Sequence, residues 1–178
     1  MQRILLLLAG AAFLALPAAA AARPAVHAQP PSFLVVRNAS TDGGVAGSPV
    51  VTIVVKGFVI GRIAQEGAVE IYHVPSSAAS APAPAQATGA DVSRHTVTWR
   101  TLQGIEFTGS DFRFRAVRGV WRVVVYGSGV SLYAGGDGPV LQLHGSVEYP
   151  NNDGEYSLDG RPFVSLPSNA IKQKFEAK

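Results

Sequence analysis

Alternation is the feature that most constrains this chain. Runs of period two, rich in valine, isoleucine and aromatic residues, recur between glycine-bearing turns from Phe33 to Leu166, and no stretch past the N-terminal leader sustains a helical stripe. Successive side chains on a strand point to opposite faces, so such runs bury one face each. The pattern predicts an all-β fold.

Strands are expected at 33–37, 50–56, 58–65 and 68–74 in the first half, and at 95–101, 105–107, 111–117, 120–126, 130–134, 140–144, 155–158 and 163–166 in the second. Turns are expected at Asp42-Gly43-Gly44, at Gly57 and at Glu66-Gly67. Gly135-Gly136-Asp137-Gly138 is the strongest hairpin signal, and Asp153-Gly154 and Asp159-Gly160 suit turns with positive φ at both central positions. Many short strands with close turns predict a single-domain antiparallel β-sandwich or partly closed β-barrel. A β-solenoid is the runner-up, but the spacing of Gly127, Gly129, Gly145 and Gly160 is too irregular for one.

Face assignment names the anchors. Phe112 and Phe114 oppose Asp111, Arg113 and Arg115, so the phenylalanines point inward. Trp121, Val123 and Val125 share one face of a strand whose other face, Val120, Arg122, Val124 and Tyr126, is also largely apolar, as in a central strand. By the same logic Trp99 joins the core. Tyr72, Tyr126 and Tyr133 fall on the faces opposite the core positions.

Residues 75–90, PSSAASAPAPAQATGA, carry no charge, aromatic residue or periodicity and read as a disordered surface loop. The alternative, a linker between two domains, leaves a first half with four strands, marginal for independent folding. The domain is therefore expected over 29–168, followed by a basic tail, 169–178, that frays or docks as a short helix through Ile171 and Phe175.

The leader, 1–28, reads as a cleaved signal peptide. Arg3 supplies the positive n-region, Ile4 to Leu16 the apolar stretch, and small residues permit cleavage after Ala22 or, preferred, after Ala28. A retained anchor is the competing reading, weakened by the alanine content of the stretch. The whole chain has 15 basic and 12 acidic residues, net +3; without Arg3 and Arg23 it has 13 basic residues and a charge of +1. With so small a charge a nucleic-acid role is not expected. No later segment is long and apolar enough to span a bilayer, so the mature product is expected to be secreted or periplasmic. The alanine-rich leader and alanine-proline loop suit a bacterium of high GC content. With no cysteine, the chain has no disulfide, thiolate metal site, cysteine nucleophile or cysteine-linked lipid.

Catalytic machinery is not legible. There is no G-x-S-x-G, Gly127-Ser128-Gly129 reads as a tight turn, and His73, His95 and His144 each sit in a strand run as sheet histidines. No metal or cofactor site is expected: no His pair has ligand spacing, and Asn151-Asn152-Asp153-Gly154-Glu155 reads as a turn although its oxygens suit a hard cation. The surface candidates are Tyr72, Tyr126 and Tyr133, which offer flat amphipathic rings, and Arg113, Arg115 and Arg122, from the one local concentration of positive charge, which also includes Arg118. Together these predict a non-enzymatic binding or structural module for a glycan, a cell-envelope component or a protein. The alternative is a secreted hydrolase acting on an envelope or extracellular polymer.

Overall fold

The computed structural model describes residues 32–40, 49–75, 83–143, 154–167 and 171–174. The expected leader, the Asp42–Gly44 turn, His144 and residues 151–153 lie outside them. The described chain is all β: β1 (Ser32–Ala39), β2 (Val51–His73), β3 (Gln86–Thr88), β4 (Ser93–Trp99), β5 (Leu102–Gly127), β6 (Val130–Leu143), β7 (Glu155–Leu158), β8 (Val164–Ser165) and β9 (Ile171–Lys174). They form one antiparallel sheet that is not closed, in the order β3-β5-β2-β6-β1-β7-β8, with β4 on β5 and β9 on β6. Every pairing among the described strands is antiparallel, which is not the parallel coil of a solenoid.

Strands β2 and β5 meet more than once, and the register shows how the sheet folds. Lys56 pairs with Val120 and Gly67 pairs with Gly127, so the stretches 51–56 and 67–73 of β2 flank the same segment of β5 from its two sides. Residues 57–66 must therefore travel back along the length of that segment. They do so in a second limb, where 58–63 pair with 112–117 of β5 and with 130–135 of β6. The first limb holds β4, the ends of β5, both ends of β2, the end of β6 and β9; the second holds β3, β7, β8, β1 and the middle stretches.

Glycine marks both creases. Gly119, Gly57 and Gly136 form one paired row across three strands, and Gly109, Gly67 and Gly127 form the other. A Cβ on Gly57 would stand 2.1 Å from the Gly135 carbonyl oxygen, so the strands can cross this closely only without one. Each crease also costs β5 a change of face. Arg118 (φ 60°) and Asp111 (φ 45°) are left-handed, and the pairing skips Arg118 between Gly119 and Val117. Such bulges shift the alternation, so even residues Phe112, Phe114 and Ala116 point inward between odd residues Phe107 and Trp121.

The inward residues of both limbs join one hydrophobic core, among them Leu34, Val36, Ile53, Ile63, Ile71, Phe112, Phe114, Trp121, Val123 and Leu132. Each large side chain buried this way contributes roughly 1.5–3 kcal/mol.

Several expectations are corrected. Gly57 and Glu66-Gly67 are not turns but creases within the single strand β2, and Gly135 to Gly138 is no hairpin but the bend by which β6 follows β2 round the crease. Within the expected disordered loop at 75–90, residues 86–88 form β3 against Arg115 to Arg113. Ile171–Lys174 of the expected basic tail is a strand on β6, so neither fraying nor a helix describes it. Asp159 (φ 52°) and Gly160 (φ 72°) do make the left-handed turn expected of them, and Ser128-Gly129 is the tight link from β5 to β6.

Candidate functional site

The sheet divides the six surface candidates into two groups. Tyr133, Arg113 and Arg115 face away from the core on the second limb, while Tyr72, Arg122 and Tyr126 do so on the first.

On the second limb, pairing sets Gln86, Arg115, Ile60, Tyr133 and Val35 in one row across five strands. Ile60 and Tyr133 are 46% and 41% exposed, large apolar area for a face that could carry polar residues instead. The next row reads Val117, Phe58, Gly135, Phe33. Gly135 lets both rings lie across its backbone, since a Cβ there would stand 2.9 Å from atoms of Phe33 and of Phe58. The Phe33 and Tyr133 rings stack at 5.7 Å and 8°, and Phe58 tilts against Tyr133 at 5.2 Å and 51°. Three aromatic rings thus form one half-open platform.

Positive charge borders this platform. Arg115 donates through Nε (2.8 Å) and Nη2 to the Gln86 amide oxygen, a neutral partner that leaves its charge uncompensated. Arg113, exposed beside it, makes no hydrogen bond or ion pair among the described residues. Arg62 is neutralised by Asp111, with Nη2 at 2.6 Å and Nε at 2.9 Å from Oδ1. A groove of about 380 Å³ runs along this edge, lined by Ile60, Gln86, Thr88, Arg113, Phe114 and Arg115.

The first limb builds a different cluster. Tyr72 is 2% exposed, which corrects the expectation of an open ring: it lies over Gly104, where a Cβ would stand 2.4 Å from its Cδ1, and Trp99 covers it at 6.3 Å. Trp99 is therefore not in the core but half-buried on the opposite face. The Arg122 guanidinium lies 4.0 Å over Trp99 and 5.3 Å over Tyr72, and Arg100 lies 4.6 Å over Trp99. Both tyrosine hydroxyls donate to one carboxylate, Tyr72 to Glu70 Oε2 at 2.8 Å and the half-buried Tyr126 to Oε1 at 3.4 Å. Burial first, then the hydrogen bond to Glu70, raises the Tyr72 phenol well above its ordinary range. Burial and the Glu70 charge raise Tyr126 likewise, while burial lowers Arg122 against the opposing pull of Tyr72 and Glu70. Arg122 Nη1 is buried without a hydrogen bond among the described residues, but the stacked rings and the shared Glu70 carboxylate tie the other groups together, so this cluster is a structural pin on the sheet.

Arg113, Arg115, Arg118 and Arg122 accordingly do not form one patch, because the crease at Arg118 sends Arg122 to the other limb. Sequence reasoning missed Phe33, Phe58 and Ile60. Their signal was present in the alternation: Phe58 and Ile60 fall opposite Val59 and Ile63, and Phe33 falls opposite Leu34 and Val36.

His95 is exposed on β4 opposite Glu106, and His73 lies half-buried on the inner face at the far end of β2. Among the described residues no group of three or more His, Asp or Glu side chains is placed to hold a metal ion. No family model, no curated protein and no solved structure matches the chain, so these surfaces are read from their chemistry alone.

Proposed function

We propose that this protein is an exported, non-enzymatic binding module of β-sandwich type, whose aromatic platform on the second limb holds an acidic glycan of the cell envelope. The observation that carries the reading is the contact of Phe33, Phe58 and Tyr133 on the same outer face as two arginines, Arg113 and Arg115, that have no carboxylate partner among the described residues. Sugar rings present apolar C–H faces that lie well on aromatic rings, and uronic or sulfated sugars add anions for which guanidinium offers paired donors. Export is supported by the leader's sequence, with Arg3 before the Ile4 to Leu16 stretch.

The test is titration calorimetry with polygalacturonate and, as the neutral control, dextran. Binding to the acidic polymer is expected, weakening with added salt, with about tenfold loss in Tyr133→Ala and in the double variant Arg113→Ala/Arg115→Ala. Equal binding of dextran, or unchanged affinity in both variants, overturns the reading. A hydrolytic activity lost in His73→Ala or His95→Ala with folding intact would replace it by the enzyme alternative.

A further inference from the structure

A second site, independent of the platform, opens on the core side of the first limb. Ile71 and His73 of β2, Gln103, Gly104 and Ile105 of β5, Thr96 of β4 and Trp121 line a cleft of about 310 Å³, covered by residues Ala83 to Ala85. The walls are mainly apolar, and the volume falls at the lower end of small-molecule sites.

Two polar atoms of that wall lack partners among the described residues. Trp121 is 3% exposed, yet its indole Nε1 makes no hydrogen bond there, and Nε2 of the half-buried His73 is likewise closed to solvent and unbonded. The two rings meet edge to face at 5.4 Å and 71°. An indole N–H can only donate, and buried donors are nearly always satisfied. Inner-face strand positions are the easiest place to put a purely apolar side chain, as Val69, Val123 and Val125 demonstrate on the same limb. A donor at Trp121 and a second ring nitrogen at His73 are unneeded for packing and suited to an acceptor.

We propose that this cleft binds a small apolar molecule through an oxygen acceptor at its head, a carboxylate or ketone, received by Trp121 Nε1 and His73 Nε2. The apolar body rests on Ile71, Ile105 and Pro84. Both nitrogens are screened from solvent and their rings touch edge to face, so the head reaches them only as the His73 and Trp121 rings part.

Octanoate, 2-octanone and octylamine share one chain length and differ in the head, so calorimetry on the full chain separates acceptor from donor. Saturable one-to-one binding is expected for the two oxygen compounds, at least tenfold tighter than for the amine. Trp121→Phe, which keeps a ring but no donor, should weaken both oxygen compounds about tenfold, and Ile105→Phe should weaken all binding by filling space. Where either variant fails to fold, the indole N–H resonance of Trp121 in the unaltered protein decides, with a downfield shift on adding octanoate expected. No binding at millimolar ligand, equal binding of octylamine, or an unmoved indole resonance overturns the proposal.

Discussion

Replacing Gly57 by alanine tests the crease most directly. Gly57 has an ordinary backbone angle, so alanine adds no torsional strain there and its whole effect is contact. The new methyl would stand 2.1 Å from the Gly135 oxygen and 2.9 Å from the Gly136 Cα, where ordinary contact begins near 3.4 Å. Both neighbours are backbone, so no side chain can swing aside, and β2 and β6 must part by over an ångström at the point where both bend. Overpacking typically costs 1–3 kcal/mol, and with backbone on the receiving side the cost here should reach about 3 kcal/mol or more. With a urea slope of roughly 1–3 kcal/mol/M the unfolding midpoint then falls by about 1–3 M. Gly160→Ala is the counterpart. Nothing lies within 4 Å of its Cβ, but φ is +72°, so its cost is torsional, about 1–2 kcal/mol less a few tenths regained from the stiffer unfolded chain. Equilibrium urea unfolding followed by circular dichroism ranks the two. A loss at Gly57 no greater than that at Gly160 would refute close approach as the reason for the glycine row.

Phe112→Ala, at a fully buried site in the shared core, should cost about 3–5 kcal/mol in the same assay. Arg62→Ala breaks an ion pair whose side chains are 51% and 65% exposed and should change stability by less than about 1 kcal/mol. Tyr72 and Tyr126 are raised above the ordinary phenol value near 10, so their contribution to stability is complete below pH ~10 and is lost as pH rises through their folded values, because the unfolded chain ionises first. Ultraviolet titration should therefore show Tyr72 and Tyr126 ionising late, and Glu70→Gln should bring both earlier.

The fold class was legible because alternation reports burial residue by residue: Phe112, Phe114, Trp121, Val123 and Val125 all point inward as their spacing requires. Creases were not legible, because glycine serves equally at a turn and at a close crossing of strands. Gly57 and Gly135-Gly136 look like chain reversals locally, and only the partner strand shows that the chain continues. Trp99 was misplaced for a related reason. Its strand, β4, has an exposed edge position and its two faces differ little in polarity, so hydrophobicity alone sends a tryptophan inward. Tyr133, Arg113 and Arg115 share the outer face of the second limb, and the aromatic company of Tyr133, Phe33 and Phe58, depends on β1 and β2 flanking β6, a long-range pairing that spacing does not encode.

The interleaving of β2 and β5 also sets the order in which the chain can fold. Residues 67–73 and 51–56 must reach the same stretch, 120–127, across 47 or more intervening positions, and closing such loops is slow. Among the described residues the one long hairpin formed by neighbours in sequence is β4 with the start of β5, joined at Arg100-Thr101. Refolding should therefore begin there and take milliseconds to seconds, with substitutions on β4 slowing folding and those at 51–56 mainly speeding unfolding. Stopped-flow rates for Val97→Ala and Val55→Ala would expose the reverse order. A chain without disulfides would then owe its lifetime in the folded state to a strand that must be unthreaded from between two others before the core can open.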